Sequence, residues 1–186
     1  MQQGAITVNR IFVISDTHFG HKKIIEFEAV NRPFATVEEH DAELLRRWNA
    51  AVKPKDTVWH LGDVLFGRDT FEILGRLNGV KKLVMGNHDR YPSRLYLEHF
   101  NQVVGAAEVR DCILTHVPVH PSQFGRYKAN IHGHLHSTRL EDARYVNVSA
   151  DCIGLTPVPL DDLLHNVQAQ RPEAASPPKG RAGAAG

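Results

Sequence analysis

The residues of this chain best suited to chemistry are short groups of Asp, Asn and His, most of which directly follow an apolar, β-branched run. They offer carboxylate oxygen, amide oxygen and imidazole nitrogen, which are ligands for divalent cations. On loops at the ends of strands, such groups could hold two cations close together, and a pair of cations can cleave phosphate esters. The groups are Asp16-Thr17-His18, Gly62-Asp63, Gly86-Asn87-His88-Asp89, Thr115-His116 and Gly133-His134-Leu135-His136.

The spacing inside two of these groups favours shared ligation. Asp16 and His18 are two residues apart, and side chains at i and i+2 of an extended segment point the same way, so both could reach one ion. His134 and His136 repeat the spacing with two imidazoles. His132, in the strand before them, would point to the opposite face, and we interpret it as structural.

Each group also has an ordinary explanation. Asp16 could cap a helix, Asp63 could be a turn aspartate, and Asn87-His88 could be loop chemistry after a glycine. One such group is weak evidence for a metal site. Five in ordered loop positions are strong evidence, because every ordinary explanation would have to hold at once. We interpret His120, beyond the fourth group, as a surface or cleft-wall residue.

The elements that must position these groups differ between the two halves of the chain. Up to about residue 100, predicted strands alternate with helices, which indicates βαβ units and a parallel sheet. Thr36, with Glu39 three residues on, predicts the start of a helix that runs to about Ala51. From about Gln102, short predicted strands follow one another with little helix between them. We therefore predict an α/β fold with two face-to-face sheets and helices outside.

Composition restricts the class of protein. The chain carries 22 Lys+Arg and 21 Asp+Glu, a net charge of +1, which gives no support for a broad nucleic-acid or anionic-membrane surface, although a local basic cleft stays open. No apolar stretch approaches the ~20 residues of a membrane span, and the first residues do not resemble a signal peptide. Cys112 and Cys152 lack metal-like spacing, and we interpret them as reduced thiols. These features fit a cytoplasmic enzyme or binding protein.

The length of 186 residues predicts one domain, which we place at residues 1–170. Residues 171–186 (RPEAASPPKGRAGAAG) hold no large apolar side chain. Such a segment buries too little surface to offset its ordering entropy, so we predict a disordered tail. The sequence gives no indication of oligomeric state.

Taken in order, the groups resemble the signature of the calcineurin-like metallophosphoesterase superfamily over roughly residues 8–150. Residues 15–21 (SDTHFGH) and 31–34 (NRPF) further resemble a group of small bacterial and phage members. The resemblance implies a four-layer α/β/β/α sandwich of two mixed β-sheets flanked by helices, and a phosphoester substrate. The second motif departs from the family pattern Gly-Asp-x-x-Asp, because Phe66 stands at its last position. This departure would change the properties of the bound metals and the class of substrate.

The resemblance also implies roles for individual residues. His88 would donate a proton to the leaving oxygen, with Asp89 orienting it, while a hydroxide shared by two cations attacks phosphorus in line. Apart from the resemblance, His21, Arg32 and Arg90 lie next to the motifs and could contact substrate phosphate, with surface or packing roles as equal alternatives. The implied ligands are Asp16, His18 and His136 for one cation, Asn87, His116 and His134 for the other, and Asp63 as the bridge.

The donor set narrows the cations and the activity. Carboxylate, amide and imidazole without thiolate suit several transition metals, and we favour Mn²⁺ or Fe, with Zn²⁺, Co²⁺ or Ni²⁺ as alternatives. We predict a dinuclear-metal phosphoesterase, and favour a phosphodiesterase acting on a nucleotide or nucleic-acid type of substrate. The alternatives are a phosphomonoesterase and a non-catalytic binding module on the same fold. Loss of metal ligands would be the mark of the binding module.

Overall fold

A computed structural model describes residues 9–170, which contain nine strands. In chain order they are β1 Ile11–Ile14, β2 Thr57–His60, β3 Val80–Val84, β4 Gln102–Val104, β5 Ala107–Val109, β6 Cys112–Leu114, β7 Ala129–His132, β8 Tyr145–Asn147 and β9 Val158–Pro159. One sheet has the order β4-β3-β2-β1-β9, in which only β9 is antiparallel to its neighbour. The other has the order β5-β6-β7-β8, in which only β5 is antiparallel. Both sheets are therefore mixed.

Helices flank the sheets, as predicted, and the α/β fold class is confirmed. The α-helices are α1 Ile24–Phe27, α2 Val37–Ala51, α3 Phe71–Arg76, α4 Ser93–Leu97 and α5 Leu160–Gln170, with 3-10 helices at Arg68–Thr70, Pro121–Gln123 and Ala150–Cys152. No helix among residues 9–170 is long and apolar enough to cross a membrane. The tail predicted at 171–186 lies outside the described residues.

The strand β1 shows how the sequence builds two apolar layers. Its side chains alternate between faces, so Phe12 and Ile14 join a buried cluster that includes Trp48 of α2. Val13 points the other way and joins a second cluster, which includes Ile131 of β7 and lies between the sheets. A strand buried on both faces explains why this run is continuously apolar.

Helix α2 begins where the sequence predicts. The Thr36 hydroxyl accepts a hydrogen bond from the Glu39 amide at 3.2 Å, which satisfies one free donor at the helix start. Its buried face carries Trp48, whose indole nitrogen donates to the Asn78 carbonyl at 2.9 Å. His40 lies on the same buried face, and the Gly20 amide donates to Asp41 Oδ2 at 2.8 Å, so α2 contacts the loop that follows β1.

The loops that carry the polar groups meet at one end of the molecule. Strands β1, β2 and β3 are parallel, so their carboxyl ends share one edge of the first sheet. The Ser15 amide donates to the Val148 carbonyl at 2.9 Å, and the Ala150 amide donates to the Ser15 carbonyl at 2.9 Å. These bonds join the loop after β1 in one sheet to the loop after β8 in the other.

Candidate metal centre

Three of the predicted ligands form a cluster at this end, in which Asp16 and His18 are buried and His136 is half-buried. One ligand atom from each of Asp16, His18 and His136 lies within 4.8 Å of the other two. Asp16 Oδ1 and His18 Nε2 are 3.9 Å apart, and neither has a hydrogen-bond partner among residues 9–170. Buried polar atoms are normally paired, so two orphaned atoms facing each other fit a cation placed between them.

The remaining predicted ligands form a second cluster beside the first. Asn87 Oδ1 lies 2.9 Å from His116 Nε2 and 3.0 Å from His134 Nδ1. Asp63 Oδ2 is 3.4 Å from His116 Nε2 and 3.8 Å from His18 Nε2. This oxygen therefore lies between the two clusters, where a carboxylate shared by two cations would have to be.

Both buried aspartates give one oxygen to the protein and present the other to the centre. Asp16 Oδ2 accepts from the His134 amide at 2.9 Å and from the Ser149 hydroxyl at 2.8 Å. Asp63 Oδ1 accepts from the His88 amide at 2.9 Å. Each carboxylate is thus oriented before any cation binds, which lowers the entropy lost on binding.

Hydrogen bonds also orient two of the imidazoles. His116 Nδ1 lies 2.7 Å from the Leu61 carbonyl oxygen, which can only accept, so Nδ1 carries a proton and Nε2 is the nitrogen that faces the centre. His136 Nδ1 lies 2.9 Å from Asp151 Oδ2. The same reasoning leaves His136 Nε2 free as a ligand.

The backbone at five of the seven predicted ligands is left-handed. The φ angles are 56° at Asp16, 50° at His18, 56° at Asp63, 70° at His134 and 47° at His136. The prediction that i and i+2 side chains converge because the segment is extended is therefore wrong. Convergence instead comes from loops that turn at each ligand, a conformation that costs roughly 1–2 kcal/mol per non-glycine residue.

Two glycines let these loops approach the carboxylates closely. A Cβ on Gly133 would collide with Ser15 Oγ and Asp16 Oδ2, and one on Gly86 would collide with Asp63 Oδ1. The His134 amide donates to Asp16 and the His88 amide donates to Asp63. A larger residue in place of either glycine would keep these amides from the carboxylates. Steric restriction therefore explains why glycine occupies positions 86 and 133.

The electrostatics suit a cation. Burial alone would raise the pKa of the Asp63 carboxyl, but the hydrogen bond with His116 and the neighbouring imidazoles outweigh it and lower the pKa to about 2. Burial lowers the pKa of His18 well below its ordinary value. A charged carboxylate beside a neutral imidazole is the protonation state that metal ligation requires.

Asp89 has a role different from the predicted one. Its Oδ2 accepts from the amides of Gly86 and Asp63, each at 2.8 Å, and its Oδ1 accepts from the Val64 amide at 3.0 Å. The carboxylate therefore ties the loop after β3 to the loop after β2. The prediction that it orients the His88 imidazole is corrected: Asp89 positions the backbone that carries Asp63 and His88.

Arg32 was predicted to contact substrate phosphate, and its burial contradicts this. The side chain is fully buried, with Nε 2.6 Å from Asp151 Oδ1 and one terminal nitrogen 2.6 Å from the Asp16 carbonyl. Its charge is matched by Asp151, a residue that the sequence reasoning missed. Asp151 follows strand β8 as the predicted ligands follow their strands, which is a signal for the residue itself, but no local signal pairs it with Arg32.

The other predicted substrate contacts lie at the mouth of the centre. The His88 ring is 5.9 Å from the His18 ring, measured between centroids, and is half-buried. Arg90 is exposed, and its Nε lies 3.4 Å from the Asn87 carbonyl. His21 is half-buried and stacks on Phe66. His88 and Arg90 are therefore accessible to a ligand, whereas Arg32 is not.

Comparison with known proteins agrees with this arrangement. The profile of the calcineurin-like phosphoesterase superfamily domain matches residues 10–151. The chain belongs to the calcineurin-like phosphoesterase superfamily. This confirms the resemblance seen in the motifs, and implies a phosphoester substrate.

Relatives of this calcineurin-like chain span most of its length. It is 32% identical over 167 residues to an uncharacterized protein of Methanocaldococcus jannaschii, which covers 84% of this chain and 90% of that protein. It is 33% identical over 180 residues to the Gene 66 protein of Mycobacterium phage L5, covering 75% and 86%. A solved structure of a protein of unknown function from Aquifex aeolicus superposes with a TM-score of 0.68 at 25% identity, covering 86% of this chain and 100% of that chain.

Calcineurin-like phosphoesterases usually bind divalent metals, and candidate ligand groups are present in this chain. The family membership and the ligand geometry thus agree on a candidate site for divalent metal ions.

Proposed function

We propose that this calcineurin-like chain hydrolyses phosphoric esters with two divalent cations, Mn²⁺ or Fe by preference. The observation that carries the proposal is the pair of orphaned buried atoms, Asp16 Oδ1 and His18 Nε2, beside the inward-facing Asp63 Oδ2. The residues that would hold the cations are Asp16, His18, Asp63, Asn87, His116, His134 and His136.

Two divalent cations would supply the Lewis acidity that activates water and offsets charge on the phosphoryl oxygens. The protein residues orient the ester and handle the leaving group. His88 is fixed through its backbone, since its amide donates to Asp63 Oδ1 at 2.9 Å. Its half-buried ring would hold a proton and deliver it to the leaving oxygen as the P–O bond breaks.

A diester fits the charges around the centre better than a monoester. Of the two arginines predicted to bind phosphate, Arg32 is paired with Asp151 and buried, and Arg90 alone is accessible. A monoester dianion carries one more negative charge than a diester and would benefit from more cationic side chains. These charges favour a phosphodiester, and the form of diester that we propose is of the nucleotide or nucleic-acid type.

The test combines metal content with turnover. Protein stripped with a chelator and reloaded with Mn²⁺ should hold two cations per chain and hydrolyse bis(p-nitrophenyl) phosphate with a kcat/KM at least tenfold above that for p-nitrophenyl phosphate. Asp63→Asn should lose one or both cations and nearly all turnover. Asp69→Asn, at an exposed aspartate in the 3-10 helix Arg68–Thr70, is the matched control.

The outcomes separate the parts of the proposal. Absence of bound cations, or turnover equal to that of Asp63→Asn, would rule out the hydrolase and favour a binding module. Turnover that favours the monoester would overturn the diesterase and leave a phosphatase. Reloading with Zn²⁺, Co²⁺ or Ni²⁺ in place of Mn²⁺ tests the preferred cation.

A further inference from the structure

Phe66 lies at the mouth of the cation site, at the position where the family pattern has an acid. Its ring stacks on His21 with a centroid distance of 4.0 Å and an interplanar angle of 13°. It lies 5.3 Å from the His18 ring and 5.3 Å from the His88 ring. An aromatic surface therefore directly adjoins the residue that would protonate the leaving group.

A small cavity opens beside this ring. It has a volume of about 220 Å³ and is lined by Leu65, Phe66, Gly67, His88, Arg90 and Tyr91. We call it the Phe66 cavity. His88 forms part of its wall, so with His88 as the proton donor to the leaving oxygen, a group carried by that oxygen would lie next to the cavity.

The lining selects for one kind of group. Aromatic rings bind other planar rings by stacking, and an aromatic side chain can stack on any base because every base has a π-face. The exposed guanidinium of Arg90 can add a cation–π contact to a bound ring. An aliphatic or sugar-like group would gain less from such walls, since it has no π-face.

We infer that the Phe66 cavity binds a planar aromatic group carried by the leaving alcohol, so that the preferred substrates are diesters with an aryl or nucleoside leaving group. The inference rests on the proposed hydrolase function. In the reaction a bond forms from the water oxygen to phosphorus and the water releases one proton to solvent. The P–O bond to the aromatic-bearing oxygen breaks, that oxygen takes its proton from His88, and His88 regains a proton from solvent. Phe66 and Tyr91 determine specificity and take no part in the bond changes.

The experiment uses two methyl phosphodiesters, one with an aryl and one with a fluoroalkyl leaving group of matched acidity. Phe66→Leu should lower kcat/KM about tenfold for the aryl ester and less than twofold for the fluoroalkyl ester. Phe66→Tyr keeps the ring and should retain the aryl preference. Phe27→Leu is the matched control, because Phe27 is 68% exposed and does not line the cavity.

A purely structural role for Phe66 gives a different result. If Phe66 only supports His18 and His21, then Phe66→Leu lowers both rates by the same factor, and this outcome overturns the inference. Thermal melting and cation content of each variant show whether the fold and the centre are intact.

A binding measurement keeps the two proposals apart. Calorimetry on the Mn²⁺-loaded protein compares adenosine 5′-monophosphate with methyl phosphate. Tighter binding of the nucleotide by tenfold, lost in Phe66→Leu, supports the cavity even if no ester is hydrolysed and the proposed function fails. Equal affinities overturn the cavity even if hydrolysis is observed.

Discussion

The aspartates of the centre show how much a single residue contributes beyond its charge. Asp16 and Asp63 each use one oxygen to accept protein hydrogen bonds and leave the other facing the centre. The sequence predicted both residues as ligands from their type and position. It could not predict the division between their oxygens, because the donors come from residues up to 133 positions away.

His88→Ala tests the role proposed for the histidine at the mouth. The variant should keep both cations, since the ring is not among the proposed ligands. It should lose about 10²–10⁴-fold in kcat on alkyl diesters, where the leaving oxygen needs a proton, and much less on p-nitrophenyl diesters. Stopped assays on the two substrates, with metal content measured in parallel, check this.

His120→Ala serves as the control for that measurement. His120 is exposed and follows β6 in a loop, where its ring contacts Ser122. It should leave both rates unchanged. Unchanged turnover of the alkyl diester in His88→Ala would instead assign proton delivery to another group.

Arg32 marks the limit of prediction at the residue scale. An arginine next to a phosphate-binding motif is ordinarily read as a phosphate contact. Its actual partner, Asp151, is 119 residues further along the chain, and nothing local reveals that pairing. The role of Arg32 follows from the burial of its side chain, and that burial depends on the assembled fold.

Among the elements, the 3-10 helix Ala150–Cys152 and helix α2 support the centre from one side. Asp151 bonds to both Arg32 and His136, and the Arg32 guanidinium also contacts His40 of α2 at 3.0 Å. Burial would raise the pKa of the Asp151 carboxyl, but Arg32 and His136 outweigh it and hold the pKa well below its ordinary value. A charged carboxylate thus orients His136.

Asp151→Asn should change the pH dependence of stability in the metal-free protein. Because the carboxyl has a lower pKa in the folded state, its stabilising contribution is present above the unfolded value of about 3.9 and is lost as pH falls below it. At pH 7 the variant should lose about 3 kcal/mol of unfolding free energy, since the buried Arg32 loses its counter-charge. Below pH 4 the difference should narrow.

Denaturant unfolding with a chelator present, from pH 7 down to pH 2.5, measures this difference. Asp142→Asn is the control, because Asp142 forms a half-exposed pair with Arg144 and should cost under about 1 kcal/mol. A constant difference between wild type and Asp151→Asn over this range would show that charge is not what Asp151 contributes.

Gly133→Ala tests the close approach of two loops. The added Cβ would collide with Ser15 Oγ and Asp16 Oδ2, so Asp16 should shift and its cation should bind at least tenfold more weakly. Gly105→Ala is matched, since a Cβ there meets no atom within 4 Å. Isothermal titration with Mn²⁺ compares the two, and equal affinities would contradict the steric argument.

At this scale the sequence predicted regular elements better than loops. Thr36 and Ala51 bound α2 as predicted, because capping and amphipathic spacing are local signals. The sequence does not predict the left-handed backbone at the ligands, because hydrogen bonds between distant loops hold it in place. One of them runs from the Asp16 amide to the Gly62 carbonyl at 2.9 Å.

For the molecule as a whole, the centre joins the two sheets. Asp16 and Asp63 follow strands of the first sheet, whereas His116, His134 and His136 follow strands of the second. The centre therefore forms only when the sheets are packed, and a cation that binds it stabilises the packed state.

Removal of the cations should lower the melting temperature of the entire protein in a single transition. At a free Mn²⁺ concentration 100 times its Kd, binding adds about 2.7 kcal/mol of stability, or about 5–10 °C for a chain of this size. Calorimetric scans with Mn²⁺ and with chelator measure the shift. Asp63→Asn should show a much smaller one, and an equal shift in both proteins would place the stabilising cation elsewhere.

The left-handed backbone at the ligands has a consequence for laboratory evolution. At His134, where φ is 70° and the ring is half-buried, glycine would relieve roughly 1–2 kcal/mol of strain against about 0.4–1 kcal/mol of added chain entropy in the unfolded state. A library selected for heat resistance in chelator should therefore enrich glycine at position 134 and discard a ligand. Selection with the cations bound would favour the histidine. Whether a thermally stabilised variant keeps its metal centre therefore depends on whether cations are present during selection.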